Sequence, residues 1–279
     1  MSTAAVFLDK DPAVAREHMR QSRLAADKAL QLAPGLGAAH ASHAYLQFYS
    51  FDHRGAVTEC HRAVQLAPDN GTVLNGCGYV LTGIGKLGEA LQLRERLRVI
   101  EPLYNINSAE LLMATGRLDE AEKYVRIAKG VLQPESPPPY KFMYIAIARG
   151  DVETAQEVAR NQPSPWREMD LAIAMQVSPD RAAADAALAK ILADKIWTQT
   201  DPYFVAQVHA LRGDRDKAME WLQRTPARYL LFMLADPLIL RYRDDPRLAA
   251  LCKKNGLPLP SESEALSLDQ IRALSAAKR

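Results

Sequence analysis

The chain has 279 residues, 48% hydrophobic and 24% charged, and its 35 Lys and Arg against 33 Asp and Glu leave a formal net charge of +2. That composition is ordinary for a water-soluble globular protein and excludes a disordered or fibrous chain. A balance this even also argues against nucleic acid as a partner, which would call for a strongly basic face. Cys60, Cys77 and Cys252 are too few and too scattered for a disulfide framework, so a reduced, cytoplasmic setting is expected.

The first nine residues turn polar without an apolar signal-peptide core, and the longest apolar run, Tyr229 to Ala235, is far short of the roughly 20 residues that span a bilayer. No membrane association is expected. Asp11-Pro12 pairs a capping residue with proline at a first helical position, which predicts a helix from there to about Ala33. Helix pairs follow at about 37–50 with 54–67, 71–84 with 87–100, 105–115 with 118–132, and 138–149 with 152–161. Two more are predicted at 166–177 with 179–194 and 202–212 with 215–224, where Ser178-Pro179 and Asp201-Pro202 again read as cap and first-turn proline. The stretch 229–256 reads as a C-terminal helical cap, with Lys253 and Lys254 in a last turn before Gly256. In the tail, Ser267-Leu-Asp-Gln270 is a capping-box pattern that predicts a short final helix.

Two markers recur through these elements. Ala-Leu-Gln-Leu-Ala-Pro34, Ala-Val-Gln-Leu-Ala-Pro68 and Leu-Arg-Val-Ile-Glu-Pro102 end alike, and their prolines are 34 residues apart twice running. Proline drives the residue before it out of the α region, so each closes a helix. The second marker is a glycine followed five residues later by alanine: Gly85 and Ala90, Gly116 and Ala121, Gly150 and Ala155, Gly213 and Ala218. The glycine suits a left-handed helix end, and the small alanine lets a second helix approach the first. Ala56, Ala90, Ala121 and Ala155 are spaced by 34, 31 and 34 residues.

A 34-residue helix–turn–helix unit with that alanine and a closing proline resembles the tetratricopeptide repeat, over about residues 12 to 225. The resemblance implies an all-α, right-handed superhelical solenoid of helix–turn–helix pairs with a C-terminal helical cap. Phe51-Asp-His-Arg-Gly-Ala56, with the helix ending Pro68-Asp-Asn70, is similar to segments of the C-terminal repeat arrays of bacterial adenylate cyclase and winged-helix regulatory proteins. Asp236-Pro-Leu, Arg243-Asp-Asp-Pro-Arg-Leu-Ala-Ala-Leu and Asn255-Gly-Leu-Pro258 look like the cap of the same arrays. No effector domain of that kind is evident, which leaves a stand-alone relative or an effector on another chain. Pro134 to Pro139, with four prolines in six residues, is expected to be a hinge. The expected division is therefore 1–133, hinge 134–139, 140–260 and a tail, 261–279.

The resemblance places the first helix of each pair on a concave face. Groove-facing positions are then Tyr45, Tyr49, Asn75, Tyr79, Glu110, Tyr140, Tyr144, Tyr203 and Gln207, with Tyr45, Tyr79 and Tyr144 at one repeat position. Tyrosine joins apolar area to a hydroxyl donor, which suits an interaction surface; packing between repeats is the competing use. Ala41 and Tyr45 stand where chaperone-binding relatives would carry a lysine and asparagine clamp, so an acidic peptide C-terminus is not favoured. An extended or helical protein segment is the expected partner.

Other motifs weigh less. Gly83-Ile-Gly-Lys-Leu-Gly88 matches a dinucleotide fingerprint but follows a helix instead of a strand. Arg149-Gly-Asp151 and Arg212-Gly-Asp214 repeat the same turn chemistry. His40, His43, His53 and His61 lie near Cys60 and Cys77, but no metal-site motif such as H-E-x-x-H accompanies them, and core packing is the simpler reading. Neither cofactor nor metal is expected, nor enzymatic chemistry, since no catalytic constellation is visible. The expected function is a scaffold for protein–protein interaction, regulatory in character. The alternative is a sensory module that controls a separate cyclase or DNA-binding effector, through a small ligand in its groove.

Overall fold

The computed structural model describes residues 12–101, 108–132 and 139–277. Every regular element among them is helical. The chain divides into two compact units, Met1–Tyr104 and Asn105–Arg279. The prolines of the expected hinge lie outside the described residues except Pro139, and so does Asp11.

The first unit contains α1 (Pro12–Leu32), α2 (Gly37–Tyr49), α3 (His53–Leu66), α4 (Gly71–Ile84) and α5 (Leu87–Ile100). Helices α1, α3 and α5 each stop two residues before the prolines at 34, 68 and 102. Side-chain oxygens start α3 and α4: Asp52 accepts from the Gly55 N–H, and Asn70 from the Val73 N–H. Gly85 ends α4 at φ 86°, a left-handed position that glycine adopts without strain. Each helix packs on the next, and α2 also packs on α4, so the first helices of successive pairs are neighbours. Ala56 and Ala90 are wholly buried where paired helices cross. Ala90→Leu should therefore cost this unit about 1–3 kcal/mol by overpacking, read as a lowered urea midpoint. An unchanged midpoint would mean that the α4–α5 seam has slack.

The second unit contains α6 (Ala109–Ala114), α7 (Leu118–Leu132), α8 (Lys141–Arg149), α9 (Val152–Arg160), α10 (Trp166–Met175), α11 (Arg181–Leu192), α12 (Pro202–Arg212) and α13 (Arg215–Arg224). Its first helices α6, α8, α10 and α12 pack in sequence. Gly150 and Gly213 end α8 and α12 in the left-handed region, and Ala121, Ala155 and Ala218 are fully buried. The start of α11 differs from the sequence expectation. Asp180 is the cap, accepting from the Ala183 N–H, while Ser178 Oγ accepts from Asp180 N, so Pro179 precedes the helix. A carboxylate accepts a charge-assisted bond there, which the serine hydroxyl two residues earlier cannot match.

Beyond α13 the cap consists of short 3-10 turns at Ala227–Leu230, Met233–Ala235 and Ile239–Tyr242, then α14 (Pro246–Lys254). The final helix α15 (Leu268–Ala277) opens with a reciprocal box: Ser267 N–H donates to Gln270 Oε1, and Gln270 N–H to Ser267 Oγ. It docks within the unit. Arg272 donates to the Ile147 carbonyl at the end of α8, and Leu266 N–H donates to the Ala114 carbonyl at the end of α6. The first adds a second donor to a carbonyl that already accepts from the Gly150 N–H, and the second pairs a carbonyl in the last turn of α6. Gly116, at φ 74°, leaves room for Leu266 and Leu274, whose methyls lie 3.2 and 3.3 Å from where a Cβ would stand.

Candidate interaction faces

In the first unit, Tyr45 and Tyr49 are one turn apart on α2 and share a face. Tyr79 on α4 is 34 residues from Tyr45, and their rings stack at 5.6 Å, which brings equivalent repeat positions side by side. The hydroxyls of Tyr49 and Tyr79 are 2.6 Å apart, and Tyr45 Oη donates to Tyr49 Oη at 3.4 Å. All three rings are half-buried, with Phe48 fully buried behind them. Burial raises the Tyr45 and Tyr49 hydroxyl pKa values, for Tyr49 reinforced by Tyr79 and Tyr45, so they stay neutral donors. Asn75, one turn before Tyr79, accepts from Arg94 Nη1 at 2.6 Å. Arg94 is buried against Gly78, where a side chain would crowd its Nε at 3.2 Å. Asn75 thus anchors a buried guanidinium while remaining partly exposed.

The histidines go to separate partners. His40 Nδ1 meets Glu59 at 2.6 Å, His43 Nε2 meets Asp27 at 2.7 Å, and His61 Nε2 meets Glu89 at 2.6 Å. His53 packs between Phe48 and Phe51, where burial lowers its pKa to about 4. Cys60, Cys77 and Cys252 are buried thiols. Gly83 lies inside α4 and Gly85 caps it, so the glycine fingerprint is a helix end and a turn.

In the second unit, Tyr140 immediately precedes α8 and Tyr144 lies one turn on, their rings edge to face at 6.1 Å. Glu110 on α6 pairs with Lys141 at 2.7 Å. Tyr144 Oη donates to Gln207 Oε1 at 3.2 Å. Gln207 Nε2 and Tyr203 Oη, both from α12, donate to Asp236 Oδ2 at 2.7 and 2.6 Å. The Leu238 N–H holds Asp236 Oδ1. Burial raises the Asp236 pKa, and these neutral donors pull against that rise. Burial likewise lifts the Tyr144 and Tyr203 hydroxyls, which nearby carboxylates raise further.

Sequence reasoning missed two residues of this cluster. Asp236 was read only as part of the cap. Asp170, on α10 between α8 and α12, is 5% exposed, and among the described residues its carboxylate has neither a hydrogen bond nor an ion pair. Burial pushes its pKa up to about 7. The signal was present: one acid in the apolar run Met169-Asp-Leu-Ala-Ile-Ala-Met175.

Among the described residues no helix is long and apolar enough to cross a membrane. No protein-family model and no curated protein sequence matches the chain. Among solved structures it is similar to a chain in the crystal structure of APC/C hetero-tetramer Cut9-Hcn1, with a TM-score of 0.53 and 15% sequence identity. The likeness covers 83% of this chain and 49% of that one, so this chain spans about half its neighbour's length. At that identity the fold is what the two have in common: an all-α array of packed, tetratricopeptide-like helix–turn–helix pairs.

Proposed function

We propose that the chain is a non-catalytic, cytoplasmic scaffold that binds a protein or peptide segment along the first helices of its repeats. The observation that carries this reading is the exposure of the tyrosines. Tyr45, Tyr49, Tyr79, Tyr140, Tyr144 and Tyr203 all keep part of their surface in solvent while several hydroxyls are held by neighbours. Rigid, half-exposed tyrosines offer apolar area and a donor at little entropic cost, as interface hot spots do. Glu110, Asn75 and Gln207 lie on the same first helices, engaged by Lys141, Arg94 and Asp236, and Gln207 also accepts from Tyr144.

Affinity capture with quantified partners tests it. Tyr79→Ala and Tyr144→Ala should each weaken capture roughly tenfold, the loss of about 1–2 kcal/mol typical of a hot-spot ring. Glu153→Ala, on the exposed side of α9, should leave it unchanged. Undiminished capture by both tyrosine variants, with helicity intact by circular dichroism, would remove the groove from consideration.

A regulatory role is the finer reading, motivated by the similarity of 51–70 and 236–258 to segments of bacterial regulatory arrays. Asp236 supports it, because it joins the cap to Tyr203 and Gln207, so an occupant there would bear on both.

A further inference from the structure

We propose that Asp170, on α10 between the tyrosine-bearing helices α8 and α12, is a subsite for the guanidinium or ammonium group of a basic side chain on the partner segment. The inference rests on the partner-binding reading above and adds the chemistry of what is bound. A buried carboxylate ordinarily has an ion-pair or hydrogen-bond partner, because an isolated one forfeits its hydration. Asp170 is 95% covered and has neither among the described residues. It is the fifth residue of α10, past the first turn, so it caps nothing and gains little from the helix dipole. Neither of its oxygens is among the side-chain atoms fully sealed from solvent without a partner, so the carboxylate retains a narrow approach.

The surroundings select the occupant by charge. The hydroxyls of Tyr140 and Tyr144 lie within the field of Asp170, and Tyr144 also feels Asp236. Asp236 is met by Tyr203, Gln207 and the Leu238 N–H, all neutral, so its charge is hydrogen-bonded but not cancelled. Lys141, the cation on α8 next to Tyr140, is engaged by Glu110 at 2.7 Å. An anion entering here would face two carboxylates. A cation would meet a carboxylate without a counter-ion, beside a helix that carries Tyr140 and Tyr144, and both features favour guanidinium and ammonium groups. A metal ion is a poorer fit, since no group of three His, Cys, Asp or Glu side chains gathers among the described residues.

The test uses the full chain at pH 8, titrated by calorimetry with the blocked tripeptides Gly-Arg-Gly and Gly-Lys-Gly and with a Gly-citrulline-Gly control. The basic peptides should saturate, and the citrulline peptide should bind at least tenfold more weakly. Asp170→Asn should weaken the basic peptides at least tenfold while leaving the fold intact, and Tyr140→Ala should weaken them severalfold. Equal binding of the arginine and citrulline peptides, or an unchanged affinity in Asp170→Asn, would overturn the subsite. Spermidine binding that depends on Asp170, with no peptide binding, would overturn it in favour of a free polyamine. Asp170→Asn retains both rings. No cation discrimination by the wild-type chain, with tyrosine-dependent capture preserved, would count against this subsite alone, and tyrosine-independent capture against the groove.

Discussion

Asp170→Asn should stabilise the second unit at pH 8 by on the order of 2–4 kcal/mol and leave it nearly unchanged near pH 4. The sign follows from the raised pKa. Burial pushes the folded-state carboxyl to about 7, whereas an unfolded aspartate titrates near ~3.9. Between these values the folded chain holds a proton that the unfolded chain has released, so wild-type stability falls as pH rises through that window. Below ~4 both states are protonated and the penalty vanishes. Above 7 it is present in full, about 1.4 kcal/mol for each pH unit separating the two pKa values. Asparagine carries no charge at any pH, although its amide is also buried without a partner, which trims the gain. Urea unfolding at pH 4 and pH 8, with hydrogen exchange across α10 to locate the effect, would measure it. Equal stability of the two proteins at pH 8 would show that Asp170 ionises freely. A carboxylate that destabilises the fold when unoccupied is what the proposed subsite requires.

Phe48→Ala should cost the first unit about 3–5 kcal/mol, the usual penalty for deleting a fully buried aromatic ring. Phe48 has no exposed surface and touches Tyr49 at 5.2 Å, His53 at 5.7 Å and Tyr79 at 6.3 Å between ring centroids. It therefore backs the tyrosine face as well as the seam between α2 and α4. Removing it leaves a cavity that the helices, held by their neighbours, cannot fully close. Phe48→Leu should lose much less, because most of the volume remains. The urea midpoint of the first unit reads both. A loss below about 1 kcal/mol for Phe48→Ala would mean that the seam collapses around the missing ring.

The helices and their limits were legible because local chemistry sets them. A proline two residues past a helix, a glycine that accepts a left-handed turn and a capping Asp or Asn act within a few residues, and no distant partner is needed. Pro34, Pro68, Gly85, Gly150 and Gly213 each stand where that reasoning places them. The buried alanines were legible for a similar reason, since only a small side chain suits a close helix crossing and the repeat brings it round on schedule. At Ser178-Pro179 local reasoning failed, because two side chains competed to cap one helix and the stronger acceptor won.

The candidate faces were half legible. Helical spacing put Tyr45 beside Tyr49, and repeat spacing put Tyr45 beside Tyr79. Nothing local to α8 or α12 announced that Tyr203 and Gln207 would converge on Asp236, 33 and 29 residues further on. Nor could the tail reveal that Arg272 would seek the Ile147 carbonyl, 125 residues earlier.

By itself, then, the sequence determined an all-α chain of paired helices, where most of them begin and end, and which small residues lie at their crossings. Those properties depend on backbone conformation and spacing, which neighbouring residues dictate. Only the tertiary structure decided which polar groups are satisfied and which are not. Asp236 found three donors and Asp170 found none among the described residues, because hydrogen bonding and desolvation depend on what the fold brings alongside.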